Sequence, residues 1–121
     1  MYRFPMDLDL SSMVGVSLQQ ICIGSSDVQF GFSQGIRITL ESRATFLRGG
    51  KLATNWDHEK GWSGCDFQQL LNKSVIGYSV VDERLLEITF SDDWVVQFFD
   101  DSDGLESLQI HGLADGQTVI V

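Results

Sequence analysis

The sequence contains little that would place it in a membrane or in an oxidising compartment. Its 121 residues include one proline and two cysteines. Cys22 and Cys65 form neither a disulfide framework nor a Cys-x-x-Cys site, so both are expected to be ordinary thiols. No apolar run approaches the roughly 20 residues of a membrane span, and residues 1–7 lack the basic and apolar regions of a signal peptide. We therefore expect a cytoplasmic protein without a membrane partner.

Basic residues are also scarce, and the scarcity is confined to one half of the chain. Lys and Arg number 8 against 17 acids, for a formal net charge of −9. Residues 1–60 hold six acids and six bases, whereas residues 61–121 hold eleven acids and two bases, which accounts for the whole net charge. Phosphates would be repelled, so we expect no nucleic-acid partner. The charge favours a basic protein partner; a role in solubility alone is the other interpretation.

Motifs for catalysis or for metal binding are absent from the sequence. His58 and Cys65 are close in sequence, but no oxyanion site or activating turn accompanies them. The acidic loop Asp100–Gly104 has part of the EF-hand spacing. Phe99 and Ile110, however, occupy the end positions, where calcium requires carboxylates. We interpret the loop as a solvated turn, with a calcium site of another kind as the alternative. The sequence predicts no enzyme, no cofactor and no metal site.

The sequence is rich in the residues of β-hairpins, with 12 glycines among short alternating apolar segments. Two three-strand meanders are predicted, and their apolar positions superimpose at a shift of 58 residues, over residues 17–41 and 75–99. The predicted strands are Ser17–Ile23, Val28–Phe32 and Ile36–Glu41 in the first meander, and Ser74–Val81, Leu85–Phe90 and Trp94–Phe99 in the second.

The segments between and after the meanders are less regular. Further strands are predicted at Ala44–Leu47, Leu52–Asn55, Leu105–Ile110 and Thr118–Val121, and a loop at Trp56–Cys65. Asp66 is expected to cap a short helix that places Phe67, Leu70 and Leu71 on one face. Trp94 is a predicted core residue; Trp56 and Trp62 are interpreted as core caps, with an interface role as the alternative.

These patterns predict the fold class. We expect one domain over residues 1–121, mostly β or α+β, with antiparallel sheets from two related three-strand meanders and one short helix between them. The halves differ on their outward positions, which are polar in the first (Gln29, Arg37, Thr39) and include Val95 and Phe99 in the second. A strand that is apolar on both faces is usually covered on both. The short helix, the other half or a second subunit are the candidate covers.

Four segments resemble a family of small bacterial proteins of unknown function. They are Tyr2-Arg3-Phe4-Pro5 with Asp7-Leu8, Gln20-Ile21-Cys22-Ile23-Gly24, Val28-Gln29-Phe30-Gly31-Phe32, and Asp100-Asp101-Ser102 with Glu106-Ser107. The resemblance spans nearly the whole chain and implies a shared fold, but it carries over no catalytic residue. Small acidic members of that family are similar in style to the immunity proteins of bacterial toxin systems, which implies a binding function.

The leading functional hypothesis is therefore a non-enzymatic protein-binding module, an acidic immunity protein that neutralises a basic toxin domain. Acids would steer the encounter, and apolar side chains would form the desolvated centre of the interface. The predicted partner-binding residues are Asp92, Asp93, Asp100, Asp101, Asp103, Glu106, Val95 and Phe99. The alternative is a structural or regulatory homo-oligomer, such as a homodimer, which pairs through sheet edges or through the two-sided apolar strand.

Overall fold

The computed structural model describes residues 3–64, 66–100, 107–113, 116 and 118–121. In these residues the chain forms β-strands and short 3-10 helices, and the strands associate in two antiparallel sheets. The mostly antiparallel β fold is thereby confirmed. The strands are β1 (Leu18–Ile23), β2 (Val28–Phe32), β3 (Arg37–Leu40), β4 (Arg43–Arg48), β5 (Lys51–Asp57), β6 (Gly61–Trp62), β7 (Val75–Asp82), β8 (Leu85–Phe90), β9 (Trp94–Phe99), β10 (Leu108–His111) and β11 (Val119–Ile120).

The helical segments are short. They span Ser11–Met13, Ser33–Gly35 and Asp66–Leu70. The last is the helix expected between the meanders, with Leu70 buried and with Phe67 and Leu71 packed against the core. It is a 3-10 helix of five residues rather than an α-helix. Within the described ranges, no helix has the length and apolarity to cross a membrane.

The loop predicted at Trp56–Cys65 is partly wrong. Trp56 and Asp57 continue β5, and Gly61 and Trp62 form β6, which pairs back onto β5. The alternation of β5 continues through Trp56, whose side chain is buried. Polar residues at 57–60 hid this short hairpin, because such residues are also typical of irregular loops.

Each sheet contains strands from both halves of the chain. The five-stranded sheet has the order β1-β2-β3-β10-β11, and the six-stranded sheet has the order β6-β5-β4-β9-β8-β7. The first meander is therefore extended by two C-terminal strands, β10 and β11, and the second by the three strands that lie between the meanders in sequence, β4, β5 and β6. Backbone hydrogen bonds thus join the halves along the centre of both sheets, between β3 and β10 and between β4 and β9.

The two pairings that join the halves, β3 with β10 and β4 with β9, have corresponding registers. In one sheet Thr39 lies opposite Gln109 and Leu40 opposite Leu108; in the other, Gln97 lies opposite Thr45 and Phe98 opposite Ala44. Thr39 and Leu40 are the residues that a shift of 58 places on Gln97 and Phe98. The two sheets are thus built on one plan, although the sequences differ at these positions.

The two halves also meet directly, at an isolated antiparallel bridge between Ser17 and Ser74. The backbone hydrogen bonds around it come in matched pairs. Within a pair, the donor of one bond lies 57 residues after the donor of the other, and the acceptor lies 57 residues before the acceptor of the other. One pair runs from the N–H of Leu18 to the carbonyl of Lys73 (3.0 Å) and from Val75 to Val16 (2.8 Å), and the other from Gly15 to Val75 (2.8 Å) and from Asn72 to Leu18 (2.7 Å). The bridge therefore has near two-fold symmetry.

Aromatic side chains fill the space between the sheets. The Phe30 ring meets the Phe98 ring edge-on at 5.7 Å between centroids, and the Phe46 ring at 6.1 Å. Phe32 stacks on Phe90 at 6.2 Å, and these two residues correspond in the two halves. Edge-on and offset-stacked aromatic pairs have a favourable interaction energy in addition to the free energy gained from burying their surface. The inward positions of both meanders thus form one shared core, which includes Trp94 at 1% exposure, as predicted.

Equivalent turns in the two halves use different residues at the same backbone conformation. In the β2–β3 turn, Gln34 and Gly35 have φ of 65° and 78°; in the β8–β9 turn, Asp92 and Asp93 have φ of 62° and 65°. Positive φ crowds the Cβ atom of every residue except glycine. The second half therefore has an aspartate, with its steric cost, where the first half has Gly35.

We predict that Asp93→Gly raises the free energy of unfolding by about 1 kcal/mol, because it removes this steric cost at an exposed position. Urea denaturation followed by tryptophan fluorescence measures the change. Asp92→Gly is the matched control: it relieves the same strain but removes the ion pair of Asp92 with Lys73, so its gain is smaller. A loss of stability in Asp93→Gly would contradict the strain assigned to this turn.

The exchanged strands generate a second prediction. Chains cut after Gly64, an exposed residue, should not fold as separate fragments, because each sheet lacks strands that the other fragment supplies. Mixed in equal amounts, the fragments should regain the β-type circular dichroism and the near-ultraviolet signal of buried tryptophan. A cooperative unfolding transition in either fragment alone would show that one half suffices for a stable sheet.

Candidate functional site on the outer face of the six-stranded sheet

The central strands of the six-stranded sheet have one buried and one solvent-side face. In β9, the side chains of Trp94, Val96 and Phe98 are buried, and the intervening positions are half-buried on the opposite side, as the alternation of a β-strand requires. The same alternation holds in β4 and β8. We call the half-buried positions of these three strands the outer face; they are Arg43, Thr45, Leu47, Leu85, Glu87, Thr89, Val95, Gln97 and Phe99.

The predicted apolar residues Val95 and Phe99 both lie on the outer face. Val95 pairs with Leu47 on one side and with Thr89 on the other, and Phe99 pairs with Arg43 and with Leu85. Two apolar groupings therefore lie at opposite ends of β9. Of the covers expected for this face, the short helix and the other half are not there: the helix packs toward the core, and the other sheet covers the buried face.

Polar contacts hold side chains in place between these groupings. Gln97 donates a hydrogen bond from Nε2 to Oε2 of Glu87 at 2.7 Å. The guanidinium carbon of Arg43 lies 3.8 Å from the centroid of the Phe99 ring, within the range of a cation–π interaction. Side chains fixed in advance lose less entropy when a partner binds. The side chains of Gln97, Glu87 and Arg43 are therefore held in defined positions on the outer face.

The corresponding face of the five-stranded sheet is polar. Its half-buried positions include Gln29, Arg37 and Thr39, and Arg37 donates a hydrogen bond to Oε1 of Gln29 at 3.1 Å. Arg37 corresponds to Val95 at the shift of 58 residues. The two sheets share a plan but differ at this central position, where Arg37 of one sheet corresponds to the apolar Val95 of the other, while the residues matched to Gln29 and Thr39 are polar in both.

Asp92 and Asp93 lie in the β8–β9 turn, beyond the Val95 end of the outer face. Both side chains are exposed. The ammonium of Lys73 lies 2.5 Å from Oδ2 of Asp92, and this hydrogen bond and charge lower the pKa of Asp92, with Arg48 adding to the effect. The main-chain carbonyl of Asp93 accepts the N–H of Gly49 at 3.0 Å. This contact joins the β8–β9 turn to the β4–β5 turn and keeps both acids at one end of the sheet.

Asp100 occupies a different place from the one that its charge suggested. Its side chain is 1% exposed, with Oδ2 accepting from Nη1 of Arg3 at 2.9 Å and Oδ1 accepting from the Ser107 hydroxyl at 2.6 Å. The carboxylate is therefore buried among partners from this chain and is not presented to another protein. Its main-chain N–H also donates to the carbonyl of Arg84 at 2.9 Å. Asp100 is a structural residue that ties the N-terminal segment and β10 to the end of β9.

The rest of the acidic loop lies outside the described residues. Asp101 and Asp103 of this loop, and Glu106 after it, are outside those residues, so their predicted partner contacts stay predictions, as does the calcium alternative. Cys65 is also outside the described ranges. Cys22 is a free, half-buried thiol. Within the residues that the structure describes, no three His, Cys, Asp or Glu side chains come close enough to hold a metal ion.

A shallow cleft of about 280 Å³ adjoins the outer face, and the sequence analysis missed it. It begins at Arg43 and continues over the β5–β6 hairpin, where Oδ1 of Asp57 accepts the N–H groups of Glu59 (2.8 Å) and Lys60 (3.2 Å). These hydrogen bonds, that of Glu59 above all, lower the pKa of Asp57. The residues that line the cleft are Arg43, Asn55, Trp56, Asp57, Lys60, Gly61, Trp62 and Ser63. The alternation of β5, read through Asp57, was the signal for this hairpin.

The tryptophans of this region belong to the core, as their interpretation as core caps predicts. Trp56 is 2% exposed. Trp62 is partly buried, packs against the core and stacks on Phe67 at 3.9 Å between ring centroids. Their rings close the end of the space between the sheets beneath the cleft. Neither is an exposed anchor for a partner.

Asp100 generates a prediction about stability. Asp100→Asn keeps the shape of the side chain but removes the charge that Arg3 pairs with, so the free energy of unfolding should fall by about 2 kcal/mol, the range for hydrogen bonds to charged groups. Urea denaturation at pH 7 measures the loss. Asp7→Asn, which removes an exposed acid from the same N-terminal region, is the control and should be nearly neutral. Equal effects of the two changes would mean that the buried pair contributes little.

The arrangement as a whole presents an ordered surface of apolar side chains with acids at one end. Neither the outer face nor the cleft holds a described set of nucleophile, base and oxyanion donors of the kind that acyl transfer requires. Comparisons with protein-family models, with curated proteins and with solved structures found no match. Interpretation of the site therefore depends on its own geometry and charge.

Proposed function

We propose that this protein is a non-enzymatic protein-binding module that uses the outer face of the six-stranded sheet to hold a basic protein. The observation that carries the proposal is the contrast between the two sheets: at two matched outward positions, a charged residue in the first half corresponds to an apolar residue in the second. Val95 stands where the first half has Arg37, and Phe99 where it has Glu41. A half-buried apolar surface on only one of two similar sheets is what a dedicated interface needs.

Charge supports a basic partner. Asp82 at the end of β7 and Glu83, Asp92 and Asp93 in the two turns that border β8 are exposed, with Arg84 as the exposed base beside them. The second half of the chain carries all of the net charge. Acids at the rim raise the rate of encounter with a cationic protein and disfavour acidic competitors. The apolar groups of the outer face would then be desolvated in the centre of the complex.

The finer proposal is that the partner is a toxin domain and that this protein is its immunity protein. It depends on the resemblance of the sequence to small acidic proteins of that style, together with the acidic surface. Neutralisation requires only tight and specific binding, so it is consistent with a protein that acts without catalysis.

The alternative of a homo-oligomer uses the same surfaces. Two copies would each bring a net charge of −9, and like charges that face each other across an interface oppose association. Charge thus favours a basic partner over a second copy. Light scattering at increasing protein concentration distinguishes the two, because a stable dimer at low salt would support the homo-oligomer.

The test is co-purification with the product of the adjacent gene, followed by titration calorimetry with the purified partner. Val95→Glu places a charge in the apolar grouping of Val95 and Leu47 and should weaken the complex at least about tenfold, since a buried unpaired charge at an interface is costly. Thr39→Glu is the matched control, because it changes a β-branched, half-buried residue on a central strand of the other sheet. It should leave affinity unchanged.

Two results would overturn the proposal. One is an equal effect of Val95→Glu and Thr39→Glu in variants that remain folded by circular dichroism. The other is a neighbouring gene product that is acidic or that does not bind. A partner that binds but has no toxic activity would refute only the immunity function and would leave the binding function in place.

A further inference from the structure

Strand β7 forms one edge of the six-stranded sheet. Spanning Val75–Asp82, it is the longest of the described strands, and in the part of the chain that the structure describes its ladder partner is β8 alone. An edge strand presents backbone N–H and C=O groups that a further strand can pair with. Natural proteins usually protect such edges with covering segments, bulges or charges. Which of these features β7 has decides whether another strand could pair with it.

The N-terminal segment fixes the ends of β7 but does not pair with its middle. Phe4 donates its N–H to the carbonyl of Glu83 at 2.8 Å, and Gly15 donates to the carbonyl of Val75 at 2.8 Å. Among the described residues, no backbone hydrogen bond joins residues 5–14 to residues 76–82. Ile76 is 60% exposed and Val81 49% exposed, and Ser79 is exposed as well. The N-terminal segment contacts the middle of the strand through a side chain, since the Tyr78 hydroxyl donates to Oδ1 of Asp9 at 3.5 Å. The backbone edge there has no backbone partner among the described residues.

Irregularities in the β7–β8 ladder limit the length of the open edge. The register shifts between Val75 and Gly77 and again between Val80 and Asp82. Residues 77–80 lie between these shifts and pair regularly with β8. Bulges twist an edge away from long, flat partners. A strand added here would therefore pair over about four residues, which suits one specific segment better than open-ended aggregation.

The acids around β7 outnumber the bases, and the two nearby bases, Lys73 and Arg84, contact acceptors within this chain. The strand itself contains no Lys or Arg, Asp82 and Glu83 are exposed at its C-terminal end, and Glu87 lies opposite Ser79 on β8. The guanidinium of Arg84 is directed toward the main-chain oxygen of Asp100, at 3.3 Å from Nη1. By contrast, the other long edge strand, β1, contains no charged residue. The β7 edge thus combines exposed apolar side chains with acids.

We propose that the β7 edge receives an extended segment of a partner protein in which basic and apolar residues alternate, and that this segment adds a strand to the six-stranded sheet. Backbone pairing supplies the affinity of such a contact, and side chains supply its specificity. A second copy of this chain is a poor occupant, because its own β7 would bring the same acids. The inference deepens the proposed function, on which it relies for a basic partner.

Synthetic peptides provide the probe. We expect a nine-residue peptide that alternates Lys and Val to bind at least about tenfold more tightly than one that alternates Glu and Val, as charge complementarity requires. The same Lys–Val peptide N-methylated at its central residues keeps its charge but has no central N–H to donate, and it should bind at least about tenfold more weakly. Fluorescence anisotropy gives the affinities, and amide hydrogen exchange should show new protection at residues 77–80.

Substitutions on β7 test whether the peptide binds at this edge. Val81→Lys and Ile76→Lys add positive charge to exposed positions of β7 and should weaken binding of the Lys–Val peptide. Ile23→Lys is the matched control, because Ile23 is 57% exposed at the end of β1, the other long edge strand; it should leave binding unchanged. Equal binding of the N-methylated peptide, or new amide protection on β1 in place of β7, would overturn the proposal.

The inference and the proposed function can fail separately. If the adjacent gene product binds and Val95→Glu weakens it while Val81→Lys does not, the partner uses the outer face alone and the edge proposal is wrong. If the Lys–Val peptide binds β7 by strand addition but the adjacent gene product does not bind, the edge proposal stands and the choice of partner fails.

Discussion

The fold depends on the way in which the two halves of the chain share hydrogen bonds. The Ser17–Ser74 bridge, with its two matched pairs of backbone hydrogen bonds, joins the starts of β1 and β7. From there each meander runs outward, and each is continued by strands of the other half. Neither sheet could be completed from local contacts alone. The common core and both outer faces follow from this exchange, because it fixes which strands lie side by side.

The exchange also explains how one plan gives two different surfaces. Inward positions of both halves meet in one core, so Phe30, Phe98 and their neighbours are constrained by packing density. Outward positions have no such constraint and can diverge. The polar set around Arg37 and the apolar set around Val95 are the result. One backbone plan thus carries two exteriors that differ in polarity at matched positions.

Much of this architecture could be predicted from the sequence, and the failures have physical reasons. Alternation located β2, β8 and β9 to the residue, because period-2 patterns report one buried face directly. The exchange of β4 and β10 between sheets could not be predicted, because alternation specifies faces but not neighbours. The β5–β6 hairpin was missed because polar residues at 57–60 resemble a loop.

The candidate site was predicted unevenly, for a related reason. Val95 and Phe99 lie together on the outer face, as the two-sided apolar pattern of β9 indicated. Asp92 and Asp93 are exposed, as expected for turn residues. Asp100 differs because burial of a carboxylate depends on partners that are distant in sequence, here Arg3 and Ser107. Charge alone does not distinguish an acid that faces solvent from one that holds the chain together.

The place of β10 and β11 beside β3 has a consequence for the synthesis of the protein on the ribosome. The five-stranded sheet needs residues 108–111 and 119–120, which are translated after both meanders. Until they emerge, β3 has no neighbour on one side, and the apolar faces of both meanders lack part of their cover. Long-range pairing of this kind slows folding, and such a nascent chain exposes strands that can aggregate. The five-stranded sheet can therefore form only after residues 108–120 have been made, although β1, β2 and β3 emerge much earlier.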